Sequence, residues 1–273
     1  LSRGLLLLTS NKEWVVLSMK LTVGMPSFNN FTEVFYTIQS LRMYHDLTDT
    51  EILVVDNFGD PELERFVKSQ GAGIVRYEKY LNSTGPAGAK NAVIELAKGE
   101  MVLCIDSHVI LAPGALKNIP VSDNLVSGPL LYNNLKDYVC CFKDQWRGQM
   151  WGIWGDYSQK VPTEPFEIWG MGMGCFLVKK SSWLGFNPKF KGFGGEEGYI
   201  HEKYRKAGRK VICLPSLIWL HQFDRKIPYP LQLIDRVINY IIGFRELGLD
   251  LKPIEDLFKK DMFDKAVIEA DKR

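Results

Sequence analysis

From Leu21 to Asp106 the chain alternates apolar strand-like runs with helical stripes, and this alternation restricts the fold more than any other feature. Leu21 to Pro26, Glu51 to Asp56, Gly73 to Tyr77 and Glu100 to Ile105 read as strands. Between the first two, Phe31, Val34, Phe35, Ile38 and Leu41 recur at helical spacing. Asp60-Pro61-Glu62 supplies a cap and a first-turn proline for a second helix that Gly71 closes, and Ala87 to Lys98 reads as a third that stops at Gly99. Such alternation predicts an α/β fold with a doubly wound, mainly parallel sheet. Further on, Ile234, Val237, Ile238, Ile241 and Ile242 fall on one stripe of Leu231 to Phe244, so a C-terminal helix is expected there, with a shorter one after Pro253.

In open sheets of this kind ligands gather beyond the carboxyl ends of the strands. Asp56 and Asp106 both fall at such ends, so they are expected to face one pocket. The run Glu100-Met-Val-Leu-Cys-Ile-Asp106-Ser-His108 extends the strand pattern, and two-residue spacing would send Asp106 and His108 to one face. Together with His221 far downstream they read as a divalent metal site. A carboxylate with imidazoles suits manganese, with magnesium as the alternative, better than calcium, which takes oxygen ligands. The bland alternative is an Asp that caps a turn beside two ordinary polar histidines.

Bulk properties exclude little else. A net charge of +2 does not point to nucleic acid, and the basic run Lys179 to Lys210 reads first as a solvated face. Five cysteines without C-x-x-C spacing suggest neither a zinc site nor a disulfide framework, so a cytoplasmic protein with reduced thiols is expected. The sequon Asn82-Ser83-Thr84 would matter only on a secreted chain. No apolar stretch approaches the roughly 18 residues of a membrane span, and Leu5 to Leu8 is too brief for a signal-peptide core. Residues 1–18 are read as an N-terminal arm, 19–227 as the catalytic domain and 228–273 as a helical extension. From Asn133 to Trp169 periodicity is lost and aromatics crowd in. Trp146, Trp151 and Trp154, interleaved with glycines, predict a mobile lid that stacks on sugar or base.

Several segments in order resemble the GT-A-type glycosyltransferases, nearest to the family-two-like enzymes and the catalytic domain of polypeptide N-acetylgalactosaminyltransferases. Val23-Gly-Met-Pro26-Ser-Phe-Asn29 is similar to their first strand and turn, and Val54-Val55-Asp56-Asn57 to the second strand, whose acidic end contacts the nucleotide base. Gly85-Pro-Ala-Gly88-Ala-Lys90-Asn91 resembles the nucleotide-binding loop, with Lys90 where the family usually has Arg. Asp106-Ser-His108 matches the metal motif in its Asp-x-His form, and His221 sits where a third ligand is expected. Trp169-Gly170-Met-Gly172-Met-Gly174 is similar to the stretch that lines the donor sugar. Phe193-Gly194-Gly195-Glu196-Glu197 resembles the Trp-Gly-Gly-Glu-Asp or Trp-Gly-Gly-Glu-Asn segment.

The resemblance implies a sheet of nucleotide-diphospho-sugar transferase type with C-terminal helices. It also implies a metal-dependent enzyme that moves a sugar from a nucleotide-sugar donor to a hydroxyl on a glycan, a peptide or a hydroxymethylated nucleobase. Asp56, able to accept from a base N–H, suggests a uridine diphosphate sugar. The glycine run before Asn91 offers backbone N–H groups at a helix start, with Lys90 adding charge near a phosphate. Glu197 is the expected base of an inverting reaction and Glu196 a ligand for sugar or acceptor hydroxyls. In a retaining enzyme Glu197 is not a base, and both courses stay open. Two rivals are a nucleotidyltransferase, whose Gly-x-Gly followed by Arg is missing after the first strand, and a non-catalytic carbohydrate-binding protein on the same scaffold.

Overall fold

The computed structural model describes residues 5–8, 14–17, 20–71, 73–83 and 85–273. An eight-stranded sheet forms its centre, in the order Phe166–Glu167, Val211–Cys213, Leu125–Ser127, Cys175–Lys179, Met101–Ile105, Leu21–Ser27, Thr50–Asp56, Val75–Lys79. The strands at Leu21, Thr50, Val75 and Met101 are mutually parallel. Cys175–Lys179 runs against Met101–Ile105 and against Leu125–Ser127, which is itself parallel to Val211–Cys213. Only the strands at Cys175 and Phe166 oppose the common direction, so the sheet is mainly parallel, as expected.

The apolar runs are continuous because both faces of the central strands are buried. Neighbouring residues therefore divide between two cores. Leu53, Val55, Val102, Cys104, Phe176 and Val178 face one, with the helices Pro86–Leu96, Glu196–Lys206 and Leu233–Leu247. Ile52, Val54, Leu103, Ile105, Cys175 and Leu177 face the other, with Phe31–Tyr44 and Pro61–Ser69. Asp60 caps the last of these through Glu62 N at 2.9 Å and Leu63 N at 3.3 Å, a contribution of about 1 kcal/mol. The third strand starts two residues later than the sequence pattern suggests. Its pairing begins at Ile52 with Val75, and Gly73 adopts φ 125, a left-handed bend outside the ladder.

The helix expected after Leu231 spans Leu233–Leu247 and ends on Gly248 at φ 62, and Lys252–Leu257 and Lys260–Lys272 follow. The expected arm lies largely outside the described residues. Within it Leu5–Leu8 and Trp14–Leu17 pair antiparallel. Thr84 of the sequon is also outside the described residues.

A second, four-stranded sheet was not foreseen. Its order is Tyr138–Val139, Leu130–Leu131, Trp219–His221, Val109–Leu111, with His221 opposite Val109 and Trp219 opposite Leu111. The Trp219 indole is buried and donates to Gly128 O at 2.8 Å. A Cβ at Gly128 would lie 1.7 Å from Leu217 O, so the two segments meet backbone to backbone. Gly128→Ala is expected to cost about 3 kcal/mol in urea unfolding, because the obstructing atom is main chain and cannot swing away. An unchanged midpoint would show that the small sheet is not held at this contact.

Candidate active site

Asp106 follows the last residue of the Met101–Ile105 strand, and its N–H donates to Gly174 O at 2.8 Å. The strand does not continue to His108, as the two-residue spacing had implied. Val109 N–H bonds Asp106 O at 3.1 Å and closes a turn over Ser107 and His108. Thr37, buried on the first helix, pins this turn through Ser107 O at 2.9 Å and Val109 O at 3.2 Å. His221 arrives from the small sheet, and Gln222 N–H bonds His108 O at 3.2 Å. The turn and the cross-sheet pairing, not strand alternation, bring the three side chains together.

Among the described residues Asp106, His108 and His221 form a group whose ligand atoms lie within 4.8 Å of one another. The two Nε2 atoms face each other at 3.0 Å, and Asp106 Oδ2 lies 3.6 Å from His221 Nε2 and 3.9 Å from His108 Nε2. Burial pushes His108 down to about 3, so its imidazole is neutral at pH 7 and keeps a lone pair for a cation. Burial works against an ionised Asp106, but Lys90 and the two histidines hold it well below the usual carboxylate range. Among the described residues neither Nδ1 atom has a partner that would set its tautomer. An anionic oxygen and two imidazole nitrogens on one point fit a borderline divalent cation.

Lys90 is 4% exposed, and its ammonium donates to Met173 O at 2.7 Å and meets Asp106 Oδ1 at 3.1 Å. Burial opposes its charge, yet Asp106 and Glu196 keep it protonated. Lys90 is thus placed directly beside Asp106. Glu196 and Glu197 open the helix Glu196–Lys206 directly after two left-handed glycines, Gly194 at φ 98 and Gly195 at φ 94. Burial, then the neighbouring Glu196 carboxylate, push Glu197 up to about 7, against the pull of Lys90. Burial also raises Glu196, with Lys90 opposing. Met173 N–H reaches Glu197 Oε1 at 3.4 Å.

Other expected site residues are placed differently. Asp56 is fully buried and accepts from Phe58 N at 2.8 Å, Gly59 N at 2.9 Å, Asp60 N at 2.7 Å and the Tyr77 hydroxyl at 2.7 Å. Its oxygens are engaged by its own turn and by the next strand. Asn91 bonds Phe186 O and accepts from Phe186 N and the Trp183 indole, all at 2.9 to 3.0 Å, and is likewise turned to structure. Pro26 pairs with Val55 within the sheet, while Asn29, at φ 52, is exposed beyond its end.

The glycines make room for neighbours. A Cβ at Gly85 would lie 2.2 Å from Gly192 O, and one at Gly88 2.8 Å from Ser83 Oγ. At Gly170 it would meet the His201 ring at 3.1 Å, at Gly172 the Trp154 ring at 3.0 Å, and at Gly195 Asn239 Cβ at 2.9 Å. Gly174 went unnamed as a site residue, yet a Cβ there would lie 3.2 Å from the His221 ring and 3.3 Å from Asp106 Oδ2. His201, also missed, is a buried neutral imidazole, pushed down to about 3 by burial. Its Nδ1 meets Glu197 O at 2.7 Å and its Nε2 accepts from Met171 N at 3.3 Å, which ties the donor-side stretch to the carboxylate helix.

The aromatic segment is a β-hairpin, Phe142–Arg147 against Met150–Trp154, not an irregular lid. Trp151 is buried, its indole donates to Asp144 at 2.9 Å and its backbone N–H donates to the Tyr240 hydroxyl at 3.0 Å. Trp146 stacks on Trp151 at 6.0 Å and packs edge-on against Tyr240 at 5.0 Å. These two rings belong to the core. Trp154 alone of the three reaches the site, edge-on to Phe223, whose ring lies 4.3 Å from His221. In the basic run, Lys180 caps Glu95 O and Ala97 O, Lys203 pairs with Glu246 and Lys210 with Glu167, in keeping with a structural face.

The fold is of the GT-A type found in glycosyltransferases. Residues 22–119 match the model of glycosyl transferase family 2, which covers the parallel strands and the Asp106–His108 turn. No curated protein sequence matches the chain. The structure is similar to that of GalNAc-T7 with UDP, GalNAc and Mn2+, at TM-score 0.66 and 16% identity over 94% of this chain and 58% of that one. It is also similar to the mannosyltransferase PcManGT from Pyrobaculum calidifontis in complex with GDP-Man and Mn2+, at 0.55 and 16% over 91% and 73%. A third likeness is to S. aureus TarS in complex with UDP-GlcNAc, at 0.57 and 14% over 91% and 72%. The chain thus spans a little over half the length of the GalNAc-T7 structure. Among the described residues no helix is long and apolar enough to cross a membrane.

The raised Glu197 carboxyl has a signature in stability. An unfolded chain loses this proton near 4.5 and the folded one at about 7, so charging penalises the native state progressively across that window and by a constant amount above it. Glu197→Gln removes the titration. Its Tm relative to the parent is expected to rise from about pH 5 to about pH 7 and then level off. A difference that stays flat across this range would mean that Glu197 is not held in this environment.

Proposed function

We propose that the chain transfers a sugar from a nucleotide diphosphate donor, a uridine diphosphate sugar in the first instance, to an acceptor hydroxyl. The observation that carries the reading is the convergence of Asp106, His108 and His221 at the carboxyl end of the sheet. These three residues would hold Mn2+, or Mg2+ in its place. Such an ion, when bound, stabilises the negative charge that develops on a diphosphate leaving group. Neighbours in complex with Mn2+ and nucleotide sugars support the assignment by analogy of fold.

The chain's own residues supply the rest. Lys90 keeps Asp106 ionised from below. Glu197 is the group to withdraw the acceptor proton in an inverting reaction, since a base that titrates near 7 combines an available lone pair with useful basicity at neutral pH. Glu196, beside it and acting on Lys90, is the candidate for orienting sugar or acceptor hydroxyls. Trp154 with Phe223 borders the site where the acceptor would approach, while Trp146 and Trp151 serve the core. In this reading residues 19–227 form the catalytic unit and 228–273 an extension that packs into the same core. A glycan or peptide hydroxyl is the acceptor we favour over a hydroxymethylated nucleobase, because the basic run is engaged in internal contacts. A cytoplasmic enzyme accords with the cysteine pattern.

Release of nucleoside diphosphate from a panel of nucleotide sugars, with and without Mn2+, tests the proposal. Metal-dependent turnover is expected with at least one donor, lost in Asp106→Asn and in His221→Ala. Glu197→Gln is expected to lower turnover about 10²- to 10⁴-fold while donor binding persists. A parent protein that binds a nucleotide sugar but turns over none would be a binding module instead, and nucleotide transfer from a nucleoside triphosphate would make it a nucleotidyltransferase.

A further inference from the structure

The segment Lys191–Gly195 leads directly into Glu196 and Glu197 and is built from backbone shapes that L residues avoid, with φ 64 at Gly192, 98 at Gly194 and 94 at Gly195. Chain of this kind has little intrinsic preference for one course and takes its shape from what it rests on. It rests on one face of the C-terminal helix. Gly192 abuts Asp235, Gly194 abuts Arg236 and Gly195 abuts Asn239, so three glycines read three positions spaced along a single helical face. The lack of side chains lets the loop lie against the helix, and a Cβ at any of the three would collide within 2.9 Å.

Asn239 turns this contact into a fixed register. It is 1% exposed, in a helix whose neighbouring positions Val237, Ile238, Tyr240 and Ile241 are all core. Its amide donates to Lys191 O at 2.8 Å and to Gly194 O at 2.8 Å, and its carbonyl accepts from Lys191 N at 3.1 Å. Both ends of the glycine segment are therefore bonded to one side chain. No other side chain of that size offers two donated bonds and an acceptor at once. Aspartate would face two carbonyls with no proton to give, and an apolar residue would leave three buried backbone groups unpaired. The same loop touches the start of the Pro86–Leu96 helix, where Gly192 O approaches Gly85, so its position is referenced to the Lys90 helix as well.

We infer that Asn239 is a positioning residue for the reaction, setting where Glu196 and Glu197 stand relative to Asp106 and Lys90. The inference rests on the transfer reading for its kinetic consequence only. Displacing a base by about 1 Å costs on the order of 100-fold in rate, whereas donor contacts made elsewhere are untouched.

The test compares the parent with Asn239→Asp and Asn239→Ser by steady-state kinetics, and repeats the Glu197→Gln Tm comparison from pH 5 to 8 in each background. The expected result is a kcat about 100-fold lower, a donor KM within roughly threefold of the parent, and loss of the growth in Tm difference between pH 5 and 7. A folded variant with kcat within about twofold of the parent, or one that retains the same pH-dependent Tm difference, overturns the inference. If both variants fail to fold, Asn239 is a structural residue and the inference falls. Should the parent turn over no donor at all, the transfer reading fails on its own, and the Tm comparison still decides whether Asn239 positions Glu197.

Discussion

A single buried ammonium organises this site. Lys90 projects from a helix that covers one face of the sheet, and its charge is met by Asp106 from the central strand and by the Met173 carbonyl from the opposing chain segment, with Glu196 nearby. A charge removed from water must be paired in place, and breaking a buried pair costs about 3–5 kcal/mol. The helix, the end of the Met101–Ile105 strand and the run into Cys175–Lys179 are therefore locked to one another at the point where the chemistry is expected. The lock also has an electrostatic consequence. Lys90, with the two histidines, keeps Asp106 ionised, while burial and the neighbouring Glu196 raise Glu197 against its pull.

The two sheets divide the labour. The large one holds Asp106 at a parallel strand's end, where its N–H bonds Gly174 O and its carbonyl accepts from Val109 N. The small one delivers His221 across 113 residues of sequence, by placing it opposite Val109. Neither sheet alone builds the group. The pairing at the Trp219–His221 strand depends in turn on the close approach at Gly128, so the second imidazole is only as well placed as that backbone contact.

What could be read from the sequence follows from how local each cause is. The central strands were legible because burial on both faces leaves unbroken apolar runs, and the helices because their caps and stripes are local signals. Asp106, His108 and His221 were legible as chemistry, but the turn that aims His108 was not, since it is closed by Thr37 from a distant helix. At Asp56 a strand-end carboxylate looks the same in sequence whether it serves a ligand or its own turn, and its four intramolecular donors appear only in three dimensions. Trp146 and Trp151 are a second case of a cause that is not local. Glycines between them resemble a mobile loop, yet Gly148 at φ 59 makes a tight hairpin turn and Tyr240 draws the rings inward. Asn239 leaves no sequence signal, because its partners are backbone atoms 45 to 48 residues away, and His201 leaves little, because one of its two backbone partners is 30 residues away.

The adjacent carboxylates show how environment separates two chemically identical groups. Glu196 and Glu197 share a helix N-terminus, where the backbone dipole favours negative charge, and both lose solvation there. Two like charges side by side cannot both ionise freely, and Lys90 pulls against the rise at each of them. The register of that helix therefore bears on which carboxylate stands where, and the glycine segment leading into it has no stiffness of its own and rests on the C-terminal helix.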